Sequence, residues 1–542
     1  MKRVVFLCIC VIVFGFSQNS NAWVTTVLDG PILDNWEFAN SGYQSDIAID
    51  FLGKIHIAHM EKMQRHPTDT MNHAEIIRYV TNTNGTWVAT TVDGNDKCIG
   101  NISISMDELD KVHICYTACG SDNGELKYAT NSSGAWEPIV IQATSGISTN
   151  KESLSTDSSN KAHIAYLFKT TTEGAYPENH QEIKYATNLS GTWVTISINS
   201  RSDCITGLGV PSLKIDSSNN VHIIWVDMEA KKIKYATNSS GSWMITSVDS
   251  LNPPSIHYVS VQSMDIGPTD KIHVAYKDWD SDGSQYLKYA VNTSEGWTIN
   301  TVETLSCPGG FSVATDLSDN VHISCSDPLG YLEYATNTSG DWAINIIDND
   351  PLKDIDLIIN TADPAIAVDQ AGNVHISYQG RFGDRRLKYA TNMSPTYDIT
   401  GTWSYSTSNN WCSGAAGCIG DEDESGTFTV TQTGDTIDFT FGDITATGYA
   451  GGSEYEIFSI FPDNGGTTRM LIYFNVSSMT SGSGNLFWFW GGDRPCNGGS
   501  SITCAKGDGG SGGTSGDTPG GEDAGSGGGG GGCFISTVAN SQ

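Results

Sequence analysis

Asp110-Lys-Val-His-Ile-Cys-Tyr116, followed by Leu126-Lys-Tyr-Ala-Thr-Asn-Ser-Ser-Gly-Ala-Trp136, decides the fold, because both blocks recur along the chain. The first returns around His56, His113, His163, His222, His273, His322 and His375. The second returns around Tyr79, Tyr128, Tyr185, Tyr235, Tyr289, Tyr334 and Tyr389, each with an Asn three residues later. In six of the seven copies a Trp follows that Asn by five residues: Trp87, Trp136, Trp193, Trp243, Trp297 and Trp342. A fixed period of this length marks a repeat architecture.

Each unit reads as four short strands, a to d. Strand a ends in alternating apolar residues and Asp, as in Ser212-Leu-Lys-Ile-Asp216, and strand b is the His block. Strand c is Leu-Lys-Tyr-Ala-Thr. The Asn-x-Ser-Gly turn then reverses the chain into strand d, since Asn and Gly tolerate the positive φ of such hairpins. Four antiparallel strands cannot bury both faces alone, but radial repetition as blades lets them. A seven-bladed β-propeller over residues 23–397 is therefore expected. The seventh unit lacks its Trp, whereas Trp23-Val-Thr-Thr-Val27 copies Trp87-Val-Ala-Thr-Thr-Val92, so Trp23 to Val27 is expected to complete it and remove an exposed sheet edge. Trp403 is the competing partner.

A part present in every unit is read as scaffold. Six units carry an Asp six residues before the His (Asp50, Asp107, Asp157, Asp216, Asp316, Asp369), and Gly267 is the exception. An inward imidazole donating to that carboxylate satisfies both buried groups.

The repeat resembles bacterial secreted propellers of the sialidase-like (BNR-type) superfamily, whose units read D-x-x-G-x-x-H-I-x-Y and then L-K-Y-A-T-N-x-x-G-x-W. The resemblance implies the propeller fold. Sialidases of that superfamily also carry a three-arginine clamp, a Tyr nucleophile and S-x-D-x-G-x-x-W boxes. No such box occurs here, and the propeller holds only Arg65, Arg78, Arg201, Arg381, Arg385 and Arg386.

Composition narrows the function classes. The formal net charge of -32 repels phosphate backbones, which excludes nucleic acid as a partner. Lys2 and Arg3 precede an apolar run from Val4 to Phe16, with Ser20 and Ala22 before a cleavage point, so residues 1–22 read as a secretory signal peptide. No other stretch is long and apolar enough to span a membrane. A secreted or cell-surface protein, expected as a monomer, follows. In that compartment disulfides persist, and Cys307 with Cys325, Cys412 with Cys418, and Cys496 with Cys504 are the expected pairs. Cys98, Cys115, Cys119 and Cys204 are left unassigned.

Residues 398–505 alternate apolar and polar positions between Gly-rich turns and read as a small β-sandwich or lipocalin-like barrel. Residues 506–542 are a Gly-rich, disordered tail. Its end, Cys533-Phe-Ile, resembles the Cys-Phe-Ile box of certain bacterial surface proteins, which implies sorting or attachment.

Function is expected where the units differ, on the b–c and d–a loops, which emerge at one end of the ring. Those loops carry Trp36, Tyr43, Tyr176, His180, His257, Tyr258 and Trp279, ring-bearing residues suited to stacking on sugars or hydrogen-bonding their hydroxyls. Asp278, Asp280 and Asp282, followed by Gly283, have the spacing of a calcium loop; an acidic turn is the alternative. The reading is a binding protein for an extracellular glycan or protein. The alternatives are a sialidase-like glycoside hydrolase or polysaccharide lyase, and a structural surface or matrix component.

Overall fold

The computed structural model describes residues 23–506, apart from connecting segments of which the longest are 30–37, 65–72, 145–151, 172–178, 253–261, 349–363, 394–399 and 415–424; from 441 to 504 it describes the backbone alone. The described residues are all-β. They form seven four-stranded antiparallel sheets and one closed barrel. Each sheet is one repeat unit in the order a-b-c-d, and the a strands neighbour one another around a ring in which unit seven stands beside unit one. This arrangement is consistent with a β-propeller.

The closing strand is Val24–Asp29, which runs antiparallel to strand c of unit seven, Val24 opposite Thr391 and Thr26 opposite Tyr389. Aromatic packing says the same. The Trp of each unit stands edge-on to the Tyr of the unit before it, with ring centroids 4.9–5.6 Å apart, from Trp136 on Tyr79 round to Trp23 on Tyr334 and Trp87 on Tyr389. Trp403 lies instead in the barrel, opposite Phe428 and fully buried.

Within each unit the repeated polar residues form one network. The Tyr hydroxyl donates to the His Nδ1 at 2.5–2.7 Å in all seven units. Six His Nε2 atoms face the Asp carboxylate at 3.1–3.5 Å. With Nε2 donating and Nδ1 accepting, the ring is neutral. Burial lowers the pKa of His56, His113, His163, His273 and His322, and raises that of Tyr79 to about 12. The Asn side chain accepts the backbone N–H of the residue before each His, at 2.5–2.9 Å. The same Asp caps the a–b turn: Asp50 Oδ1 accepts from the N–H groups of Leu52 and Lys54.

Among the described residues the inner strands have no partner strand along their axial edge, and side chains serve it. Ser103 Oγ accepts the Leu154 N–H, Ser153 Oγ that of Leu213, and Asp46 Oδ2 that of Ile104, each reaching from one unit to the next. A disulfide joins Cys307, in the link between units five and six, to Cys325 on strand b of unit six. Cys115 is a buried free thiol.

The barrel runs in simple up-and-down order from Gly401–Gly414 to Cys496–Lys506, and the pairing of these first and last strands closes it. The sandwich alternative is thereby set aside. Cys496 and Cys504 lie on that one last strand. At about 3.3 Å per residue they stand on the order of 25 Å apart, whereas a disulfide joins Cα atoms roughly 4.4–6.8 Å apart. The expected Cys496–Cys504 bridge is therefore replaced by an arrangement in which Cys496 pairs across to Gly414 and Cys504 to Tyr405. Cys418 lies outside the described residues, and the Cys412 side chain is not described.

Candidate functional site

Antiparallel order fixes where the variable loops leave the ring. Strands b and d end, and strands c and a begin, at one end, so the b–c and d–a loops share it while the uniform a–b and c–d turns occupy the other.

The richest described cluster at the loop end lies between units three and four. His180, at the start of strand c (Asn179–Thr187), places Nε2 2.9 Å from Glu182 Oε1 and Nδ1 3.3 Å from Ser202 Oγ. Arg201, at the end of strand d (Val194–Arg201), forks between Asp227 at 2.5 Å and Glu229 at 3.0 Å. Asp227 is buried, and Glu229 is exposed in the b–c turn of unit four. Gln181, between His180 and Glu182, accepts the Leu208 N–H and so ties the d–a link to strand c. Burial works against the Glu182 charge, but hydrogen bonds from Ser197 and His180 outweigh it and hold its pKa below the usual value. The result is a half-exposed row of imidazole, guanidinium and carboxylate groups at the loop end of units three and four. Sequence reasoning named His180 and Arg201 but passed over Glu182, Asp227 and Glu229. The signal was there: His-x-Glu opens one strand, and Asp-x-Glu closes another.

Other sequence-derived candidates are placed differently. Trp279 is fully buried, so its ring packs inside the fold and offers no face to a ligand. Asp278 is also buried. Its Oδ2 lies 2.8 Å from Lys288 Nζ, and its Oδ1 accepts the Asn252 N–H at 2.8 Å. Burial opposes the Lys288 charge, yet the bonds to Asp278 and Asp249 prevail and raise its pKa. Among the described residues no group of three His, Cys, Asp or Glu is placed to hold a metal ion. Asp280, Asp282, Trp36, Tyr176, His257 and Tyr258 lie outside the described residues, and Tyr43 stands on strand a of unit one without a described side chain.

Two further charged sites face the ring interior or its first unit. On the inner strands Lys214 Nζ is 3.2 Å from Asp265 Oδ1. The Asp265 charge raises the Lys214 pKa against the cost of burial, while burial raises that of Asp46. In unit one the buried Arg78 lies 3.5 Å from Glu61 and donates to Thr91. Both Arg78 and Arg201 are thus engaged by carboxylates of their own surroundings. No described helix is long and apolar enough to cross a membrane.

No family model and no curated protein matches the chain. Among solved structures it is similar to a protein of unknown function from Dyadobacter fermentans, with 9% identity, 68% of this chain and 97% of that chain covered, and a TM-score of 0.39. It is similar to the Aleuria aurantia lectin, in complex with Fucα1-6GlcNAc, at 15% identity over 58% of this chain and 100% of that chain, with a TM-score of 0.36. The leech intramolecular trans-sialidase is 10% identical over 66% of this chain and 68% of its own, with a TM-score of 0.35.

Proposed function

We propose that the chain is a secreted or surface-held binding protein: a seven-bladed propeller over 23–397 followed by a β-barrel module over 398–505, recognising a glycan or protein through its loop face. The observation that carries this reading is the His180–Glu182–Arg201–Glu229 row, charged and half-exposed at the end of the ring where the units differ. Planar guanidinium and carboxylate groups can hydrogen-bond sugar hydroxyls or peptide groups. The groups common to all units are spent on holding the units together, which leaves the loops as the place of specificity. The Cys307–Cys325 disulfide is compatible with an extracellular location.

Calcium, if it binds at 278–283, has to rely on Asp280 and Asp282, because the Asp278 carboxylate already holds Lys288 and the Asn252 N–H. Screening the full mature chain on a glycan array, with and without calcium, tests the reading. Arg201→Ala and Glu229→Ala are expected to weaken any glycan bound by about tenfold, of the order of one lost charged hydrogen bond. Turnover of a sialoside by the same preparation would overturn it in favour of the hydrolase, and binding untouched by either substitution would move the site elsewhere.

A further inference from the structure

The outer strand of a blade normally shows one row of residues to solvent, and unit seven breaks this rule. The residue opposite the repeat Tyr on strand d is exposed in every other unit: Thr90, Ile139, Ile196, Thr246, Asn300 and Asn345. In unit seven it is Thr26, at 5% exposure. Two residues earlier, Val24 is 0% exposed, whereas its counterparts Val88, Val194 and Met244 are 44–51% exposed. Thr25, on the other face of the strand, is buried as well. What lies against this strand is the barrel, through its strands Ile444–Gly451, Glu454–Asp463 and Gly466–Ser478.

A second, independent observation singles out the same unit. At the opposite end of the ring, the residue of positive φ in five of the seven a–b turns reaches back to the turn of the unit before. Asp110 accepts the Phe51 N–H, Asn160 that of Glu108, Asn219 that of Ser158, Asp270 that of Ser217, and Asp319 accepts from the Thr269 hydroxyl. The two remaining positions are Gly372 and Gly53, which have no side chain to reach with. Gly372 stands in the turn of unit seven and Gly53 in that of unit one, so the missing links fall on the two borders of unit seven. The unit closed by a strand from the far end of the chain therefore lacks, at both of its borders, the side-chain link that joins the other turns.

From these two facts we infer that the ring opens first at unit seven, and that the barrel is the latch that holds it shut by covering the closing strand. The N-terminal strand can dock only when unit seven exists, and the barrel follows directly in sequence, so latching is the last step of assembly. A chain with the latch disengaged exchanges the amides of Val24–Asp29 and of its partner Leu387–Thr391 while the other units stay protected.

Hydrogen exchange of the full mature chain, read by mass spectrometry, tests this. Thr26→Arg places a large charge where the barrel sits, yet arginine is compatible with an outer strand elsewhere. It is expected to raise exchange in 24–29 and 387–391 at least tenfold, whereas Thr90→Arg and Thr246→Arg, at the equivalent exposed positions, change exchange in their own strands less than twofold. Unchanged exchange in 24–29 on Thr26→Arg overturns the latch. Equal opening of all three variants overturns the special weakness of unit seven. Should Thr26→Arg fail to fold, Thr26→Asn, which installs the residue that units five and six carry there, is expected to give a smaller rise confined to the same two strands, and no rise refutes the proposal.

Discussion

The border between units one and two and the border between units five and six are held by different chemistry at the same positions. At the first, Asp93 on strand d accepts from the Tyr116 hydroxyl at 2.5 Å and from Lys127 Nζ at 3.2 Å, both in the next unit. The same clasp recurs as Asp249 with Tyr276 and Lys288, and as Asp348 with Tyr378 and Lys388. Between units five and six, Cys325 stands where the Tyr stands, three residues after the His, and Glu333 stands where the Lys stands, just before the repeat Tyr. Glu333 brings no cation to such a clasp, and burial raises its pKa. A covalent bridge from Cys307 to Cys325 takes the place of the clasp. Conserved geometry with exchanged chemistry is what a load on the scaffold produces; a catalytic group could not be swapped in this way.

The comparison breaks most visibly if pH does not affect the shared network. Five of the histidines are held neutral by burial, so the unfolded chain takes up protons below about pH 6.5 that the folded chain refuses. Stability is complete above that pH and falls as pH drops below it. A second loss follows below about pH 3.8, as Asp216, Asp316, Asp319 and Asp369 are protonated, since their side-chain and backbone hydrogen bonds outweigh burial and lower their pKa values, Asp369 to about 2. Denaturant titrations at pH 7.5, 6 and 5 are expected to show a steady fall, and a flat profile would mean that the imidazoles are not the neutral hubs described.

The next largest effect is the bridge. Removing it with Cys325→Ser or a reductant is expected to cost about 3 kcal/mol, from the loop it closes, and a thermal melt with and without reductant reads this directly. Asp249→Ala, which removes the Tyr276 acceptor and leaves Lys288 to Asp278 alone on the other kind of border, is expected to cost about 2 kcal/mol. It should be insensitive to reductant. Two losses of similar size by two routes would confirm that both borders serve one purpose.

Much of this scaffold was legible. Period, strand order and the Asp-to-His spacing stand in the sequence because each lies within one unit and repeats. Trp23 could be paired with unit seven because it copies a strand that follows Asn in the other units. The clasp was not legible: Asp93, Tyr116 and Lys127 belong to strands d, b and c of two units, so no spacing within a single repeat brings them together. Asp278 looked like a cation ligand because Asp-x-Asp-x-Asp is a local pattern, whereas its partners, Lys288 and the Asn252 N–H, come from other strands and links. The candidate site was half legible for the same reason. His180 and Arg201 stand out as rare residue types, but Asp227 and Glu229 join them only across a unit border.

The smallest effect is the sharpest test, because it concerns the one unit that lacks its Asp. A Cβ built on Gly267 meets Asp319 Oδ1 at 2.0 Å and His273 Nε2 at 3.1 Å. Asp319, from the turn of unit six, thus fills from outside the slot that an Asp fills from inside in six units. It also accepts from the Thr269 hydroxyl and from Lys271. Gly267→Asp alone sets two carboxylates in one slot and is expected to cost about 2 kcal/mol. Asp319→Ala alone removes the acceptor of Thr269 and Lys271 for about 1 kcal/mol. The double variant restores the arrangement of the other six units, so its cost should fall short of the sum by at least about 1 kcal/mol. Additive costs would show that Asp319 merely lies near His273; strong coupling would show that one unit has taken over its neighbour's missing residue.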